Sequence, residues 1–261
     1  MKYKQIILFF CVALPVSLAL RLMQLFFIVE ANTGFFRHEY DTWGNGITAI
    51  IIAVGVITAI FSFFSHRSPE NPPKTGPVMG ISSVLLAFAV AMELFFTNSS
   101  YGVSVFIKIL LYLFGVLFVL WLILFSVKDF LNIQIPPLTY AIPCLYFVAR
   151  LIYSFGEISS LALISDNIFL IASYCAVLLF MLNFAKLYNN FDKEKGFRKL
   201  LASGLASVLF CFTQSVPNVV FHILSGGYSH TAVQTNFSMF FTGVFIAVFV
   251  FSHFSYANAC K

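Results

Sequence analysis

Apolar residues fall in runs of roughly 20, set apart by short polar stretches, and this alternation repeats along the whole chain. A run of that length crosses a hydrocarbon core of about 30 Å as an α-helix. The pattern predicts about eight spans, at residues 5–29, 45–65, 78–97, 103–127, 136–155, 167–188, 200–224 and 237–257. No polar gap is long enough for a separate soluble domain. The expected fold class is therefore all-α: a polytopic transmembrane helix bundle forming one integral membrane domain over residues 1–261.

Several runs carry punctuation of their own. The first begins with Lys2 and Lys4 and resembles a signal peptide. It continues past Arg21, however, without a small-x-small cleavage site before that residue, and it reads as a retained span. Pro15 is expected to kink it, and Pro217 to interrupt span seven. In span three, Gly80, Ser83, Ala87 and Ala91 recur at steps of three and four, a small-residue face suited to close helix packing.

Composition sharpens the class. The chain is 60% hydrophobic and 10% charged, against about 25% charged in soluble domains. A net charge of +5 does not point to nucleic acid, because the cations lie between spans. With a cytoplasmic N-terminus, the inner segments hold Lys2, Lys4, Arg67, Lys74, Lys128, Lys186, Lys193, Lys195, Arg198, Lys199 and Lys261, and the outer loops only Arg37. That asymmetry predicts both termini in the cytoplasm. Cys11, Cys144, Cys175, Cys211 and Cys260 show no metal-ligand or redox spacing. No HExxH, GxSxG, P-loop or GxGxxG motif occurs. Neither a metal, a cofactor nor an enzyme activity is expected.

The informative residues are the polar ones inside spans. Arg21 lies about 12 Å from the outer end of span one, and Glu93 and Arg150 about 7 Å from the outer ends of spans three and five. His222 lies near the outer end of span seven, while His253 stands alone near the opposite side. Helical stripes accompany these residues. Span seven carries Ser203, Ser207, Cys211, Gln214, Asn218 and His222 on one face. Span five carries Thr139, Pro143, Tyr146, Arg150, Tyr153 and Glu157; span one carries Ser17, Arg21 and Gln24. Such stripes belong in a bundle interior or a water-filled vestibule.

Two readings stay open. Either arginine could pair with Glu93 and simply lock helices together, or reach the headgroups by snorkelling. Alternatively, two arginines against the one carboxylate within a span form an outward-facing cationic pocket, since guanidinium forks suit carboxylate and phosphate oxygens. Its candidate ligand-binding residues are Arg21, Gln24, Glu93, Arg150, Tyr153, Gln214, Asn218 and His222. Asp166 is read as the cap of helix six. Pro15…Arg21-Leu22-x-x-x-Phe26 also resembles Pro143…Arg150-Leu151-x-x-x-Phe155 at an offset of 129. A four-plus-four duplication would divide the chain into 1–130 and 131–261, but Ser83-Val84-Leu85 matches Ser207-Val208-Leu209 at a conflicting offset of 124.

Arg21-Leu22-Met23-Gln24-Leu25-Phe26, Thr33-Gly34-Phe35-Phe36, Ile164-Ser165-Asp166-Asn167-Ile168-Phe169 and Phe184-Ala185-Lys186-Leu187-Tyr188 together resemble segments of a multi-pass membrane family common in Gram-positive anaerobes. That family has no assigned activity. The resemblance implies multi-pass topology and a bacterial plasma membrane, and nothing about mechanism. The expected function is transport or binding of an anionic solute or lipid headgroup, with membrane lipids as surroundings and no nucleic-acid partner. The alternative is a non-transporting membrane subunit, sensor or assembly factor whose buried charges are structural.

Overall fold

The computed structural model describes residues 3–30, 34–64, 76–96, 103–128, 131, 135–158, 165–189, 191, 196–225 and 233–259. The predicted Pro-rich connection around Arg67, Glu70 and Lys74, the tight connection at 98–102, Thr33, Ile164 and the charged residues Asp192, Lys193, Glu194 and Lys195 lie outside them, as does the His253 side chain.

Among the described residues, eight helices are long and apolar enough to cross a membrane, so the chain is a multi-pass membrane protein. Their α-helical parts are α1 (Tyr3–Met23), α2 (Asp41–Phe63), α3 (Pro77–Phe96), α4 (Val105–Val127), α5 (Ile142–Ile158), α6 (Ser165–Tyr188), α7 (Gly196–Ser225) and α8 (Val233–Ala259). A 3-10 turn, Pro137–Ala141, leads into α5. Helices α2, α6, α7 and α8 start earlier than hydropathy predicts. Hydropathy marks only what can sit in hydrocarbon, whereas a helix carries on through its polar ends. Asp41, Asp166, Arg198, Lys199 and Thr235 are thereby drawn into helix ends.

Neither proline breaks its helix: α1 runs through Pro15 and α7 through Pro217. Neighbouring helices and hydroxyl side chains commonly let a membrane helix tolerate proline. The irregularity of α1 falls later. Its last turn opens into a π-helix, Gln24–Ile28, where the Val29 amide donates to the Gln24 carbonyl five residues back at 3.0 Å. The chain then reverses through Gly34, whose φ of 73° suits glycine. A single antiparallel bridge, Val29 to Phe36, closes this reversal. It leads Phe36 back to Gly44 at the start of α2, where a Cβ would stand 2.6 Å from the Phe36 ring.

Helices α3, α4, α5, α6, α7 and α8 pack in sequence, and α8 closes back on α3, making a six-helix ring. Helices α1 and α2 pack together against α7. Helix α7 is buried along most of its length, while the others keep an apolar face outward, for instance Leu8, Val12 and Val16 of α1. On α3, Ser83 and Ala87 are buried as predicted and Gly80 admits the Ser126 carbonyl, but Ala91 is exposed. Helices α1, α3, α5 and α7 end at one face, the distal face; the start of α1 and the end of α8 belong to the opposite, proximal face.

Aromatic side chains fill the proximal part of the ring. Tyr146 stacks on Phe118 (4.8 Å between centroids), Trp121 on Phe125 (5.0 Å) and Tyr140 on Tyr188 (4.6 Å), with Phe184 and Phe249 (5.0 Å) closing the cluster. Lys128 ends the stack with its ammonium 4.3 Å from the Phe125 centroid and 4.7 Å from that of Tyr188.

The contact between Gly44 and Phe36 sets up a paired comparison. Gly44→Ala must push the Phe36 ring away, which costs about 1–3 kcal/mol. Gly46→Ala, where a Cβ meets nothing within 4 Å, brings no clash and should gain up to about 1 kcal/mol of helix propensity. Thermal unfolding of the two variants in detergent separates them.

Candidate functional site

An arginine in an apolar bundle stays charged and needs a counter-charge or water. The fold supplies each buried arginine with its own carboxylate, and the two pairs stand on different helices.

The first centre joins α1 to α6. Arg21, in the last turn of α1, is fully buried and forms an ion pair with Asp166 in the first turn of α6, itself 3% exposed. The helix start favours the Asp166 charge as well, since the α6 dipole is positive there. Arg21 also donates to the Gln24 side-chain oxygen, and its guanidinium carbon lies 4.4 Å from the Phe169 ring centroid. Gln24, at the π-helical turn, spends its amide N–H groups on α2: one contact to the Gly44 carbonyl and one to the Thr48 hydroxyl, both 2.8 Å. Thr48 in turn donates to the Gly44 carbonyl at 3.0 Å. Arg21 is thus held by α1, α6 and, through Gln24, α2.

The second centre draws on four members of the ring. Arg150 of α5 pairs with Glu93 of α3; both are nearly fully buried. Its Nε donates to the Tyr174 hydroxyl of α6 (2.9 Å), and Nη2 also donates to the Thr235 hydroxyl of α8 (3.0 Å). Tyr146 donates to the other Glu93 oxygen at 3.5 Å, a long bond. The Tyr153 and Tyr174 rings lie 5.3 and 5.7 Å from the guanidinium carbon. The polar face predicted for span five is therefore real: Pro143, Tyr146, Arg150 and Tyr153 are buried together.

Of the predicted site residues, Arg21 and Gln24 meet in the first centre, and Glu93, Arg150 and Tyr153 in the second. Gln214 and Asn218 are buried on α7 and His222 is half-buried there. Neither polar atom of Gln214 has a hydrogen-bond partner, so it joins neither arginine.

The sequence sets two arginines against one carboxylate within a span and leaves Asp166 as a helix cap; the structure makes Asp166 a buried counter-ion of Arg21. With it, the two described centres are charge-neutral. Proximity to a helix start hid Asp166, although it sat in view within the Ile164–Phe169 segment. That segment and the Arg21–Phe26 segment, quoted separately for the family resemblance, meet through Arg21, Asp166 and Phe169. Tyr174, Thr235 and Thr48 gave no sequence signal, because hydroxyls are common on packed membrane helices.

Comparisons with protein-family models, with curated proteins and with solved structures find no match to this chain.

The pairing of Arg21 with Asp166 predicts a coupled response. Asp166→Asn strands a buried guanidinium and should destabilise the protein by about 3–5 kcal/mol. Adding Arg21→Gln should recover a large part of that loss. A double-mutant cycle on thermal unfolding measures the coupling; additive losses would contradict the pairing.

Proposed function

We propose that this multi-pass protein binds or transports an anionic solute or lipid headgroup, with Arg150 as the anion ligand. The observation that carries this reading is the convergence on Arg150 of side chains from α3, α5, α6 and α8 inside the helix ring. Packing alone does not call for it: a buried ion pair is weak evidence for stability and is often replaceable by apolar groups. Ionisable groups inside a membrane mark substrate and proton routes.

Glu93 holds the place of the ligand. An incoming carboxylate or phosphate oxygen takes over the Arg150 Nη2 donor, and Tyr153, Tyr174 and Thr235 line the site. Two anions beside one guanidinium repel by about 4 kcal/mol at 4 Å with an effective dielectric constant near 20. Glu93 therefore leaves or takes up a proton as the anion arrives, which makes it the residue that binds a coupling proton. Arg21 with Asp166 is a second centre of the same chemistry. Charge asymmetry along the chain supports placing the distal face outside a bacterial plasma membrane.

A second reading has its own observation. Because each arginine already owns a carboxylate, the centres could serve only to fix helix packing in a non-transporting subunit, sensor or assembly factor.

Native mass spectrometry of the gently solubilised protein separates the two. Anion binding gives a specific mass adduct in the parent that Arg150→Gln loses while staying folded. Structural pairing gives no specific adduct, a destabilised Arg150→Gln, and partial rescue when Glu93→Gln is added.

A further inference from the structure

Helix α7 carries polar atoms that the protein leaves without partners. Gln214 is fully buried, and neither its amide nitrogen nor its oxygen reaches a hydrogen-bonding group. Two turns further toward the distal face, His222 Nδ1 is buried and likewise unpartnered. Asn218, between them on the same face, is 1% exposed. On α1, which packs against α7, Ser17 is fully buried with its hydroxyl unpartnered.

The register brings Ser17 and Gln214 to similar depth. Helices α1 and α7 run in the same direction and pack together, and the Phe26 and Phe221 rings touch at 5.4 Å between centroids. Measured from that contact at 1.5 Å per residue, Arg21 lies about 8 Å, Gln214 about 10 Å and Ser17 about 13 Å toward the proximal face. Ser17 and Gln214 do not bond each other, or neither would lack a partner. A fully buried amide has two donors and an acceptor oxygen with two lone pairs. Native structures satisfy such groups with protein or with ordered water, and water needs two to four polar partners to stay.

We propose that a file of water enters from the distal face along α7, past His222 and Asn218, and ends on Gln214 and Ser17. This gives the protein a second, charge-neutral site between α1 and α7 for small neutral hydrogen-bonding molecules, water foremost. It passes beside the Arg21 centre and uses none of the groups around Arg150, so it stands independently of the anion reading.

Thiol chemistry tests the passage in the full-length protein in lipid nanodiscs. Thiolates form only where water reaches, so Ser17→Cys and Gln214→Cys should gain one adduct from 2-hydroxyethyl methanethiosulfonate about tenfold faster than Leu209→Cys. Leu209 is a fully buried residue of the apolar core on the same helix. Intact-mass spectrometry counts that adduct above those on the native cysteines. Ser17→Cys is nearly isosteric and keeps the fold accessible to the test. Rates no faster than Leu209→Cys at both positions overturn the proposal. Gln214→Met gives a second reading of similar volume: its Tm should fall if Gln214 holds water, and a rise in Tm, as expected when an apolar group replaces a stranded amide, overturns the proposal by itself.

Discussion

Two guanidinium groups that cannot give up their charge are buried among apolar helices, and the packing around them has to answer that. Moving an ion out of water costs several kcal/mol even after relaxation, so each arginine needs a counter-ion at close range and further donors and acceptors around it. The bundle meets this with Asp166 for Arg21 and Glu93 for Arg150. Hydroxyls around Arg150, a side-chain amide beside Arg21 and aromatic faces beside both add to these pairs. The π-helical turn after Met23 belongs to the same solution, since it begins at Gln24, the residue that ties the Arg21 centre to α2.

The two halves of the ring differ accordingly. Around Arg150 the interior is polar; toward the proximal face it is closed by stacked aromatic side chains that end on Lys128. Such a stack offers almost no hydrogen bonding. It sets the floor of the polar region and confines its chemistry to the distal half. Tyr146 belongs to both parts, stacking on Phe118 while its hydroxyl reaches Glu93.

Much of this architecture was legible in the sequence. Hydropathy located all eight helices because the hydrocarbon thickness dictates their length. A period near 3.6 found the buried face of α5 because polar groups avoid lipid, whereas α7 is buried on nearly all sides. What the sequence concealed was partnership. Nothing local says that Arg150 faces Glu93, or that Asp166 is a buried counter-ion. Those contacts join residues 57 and 145 positions apart. Backbone acceptors such as the Gly44 carbonyl are invisible to any residue pattern. Pro15 and Pro217 end neither helix, because a packed membrane helix can continue through proline.

Helix α6 serves both centres. It gives Asp166 and Phe169 to one and Tyr174 to the other, and eight residues along a helix span about 12 Å. A helix of this kind moves as a rigid rod. Sliding or turning it to loosen Asp166 from Arg21 also carries the Tyr174 hydroxyl away from Arg150. The two charge centres, though they share no residue, are joined through one rod, so a shift of α6 as a whole disturbs both.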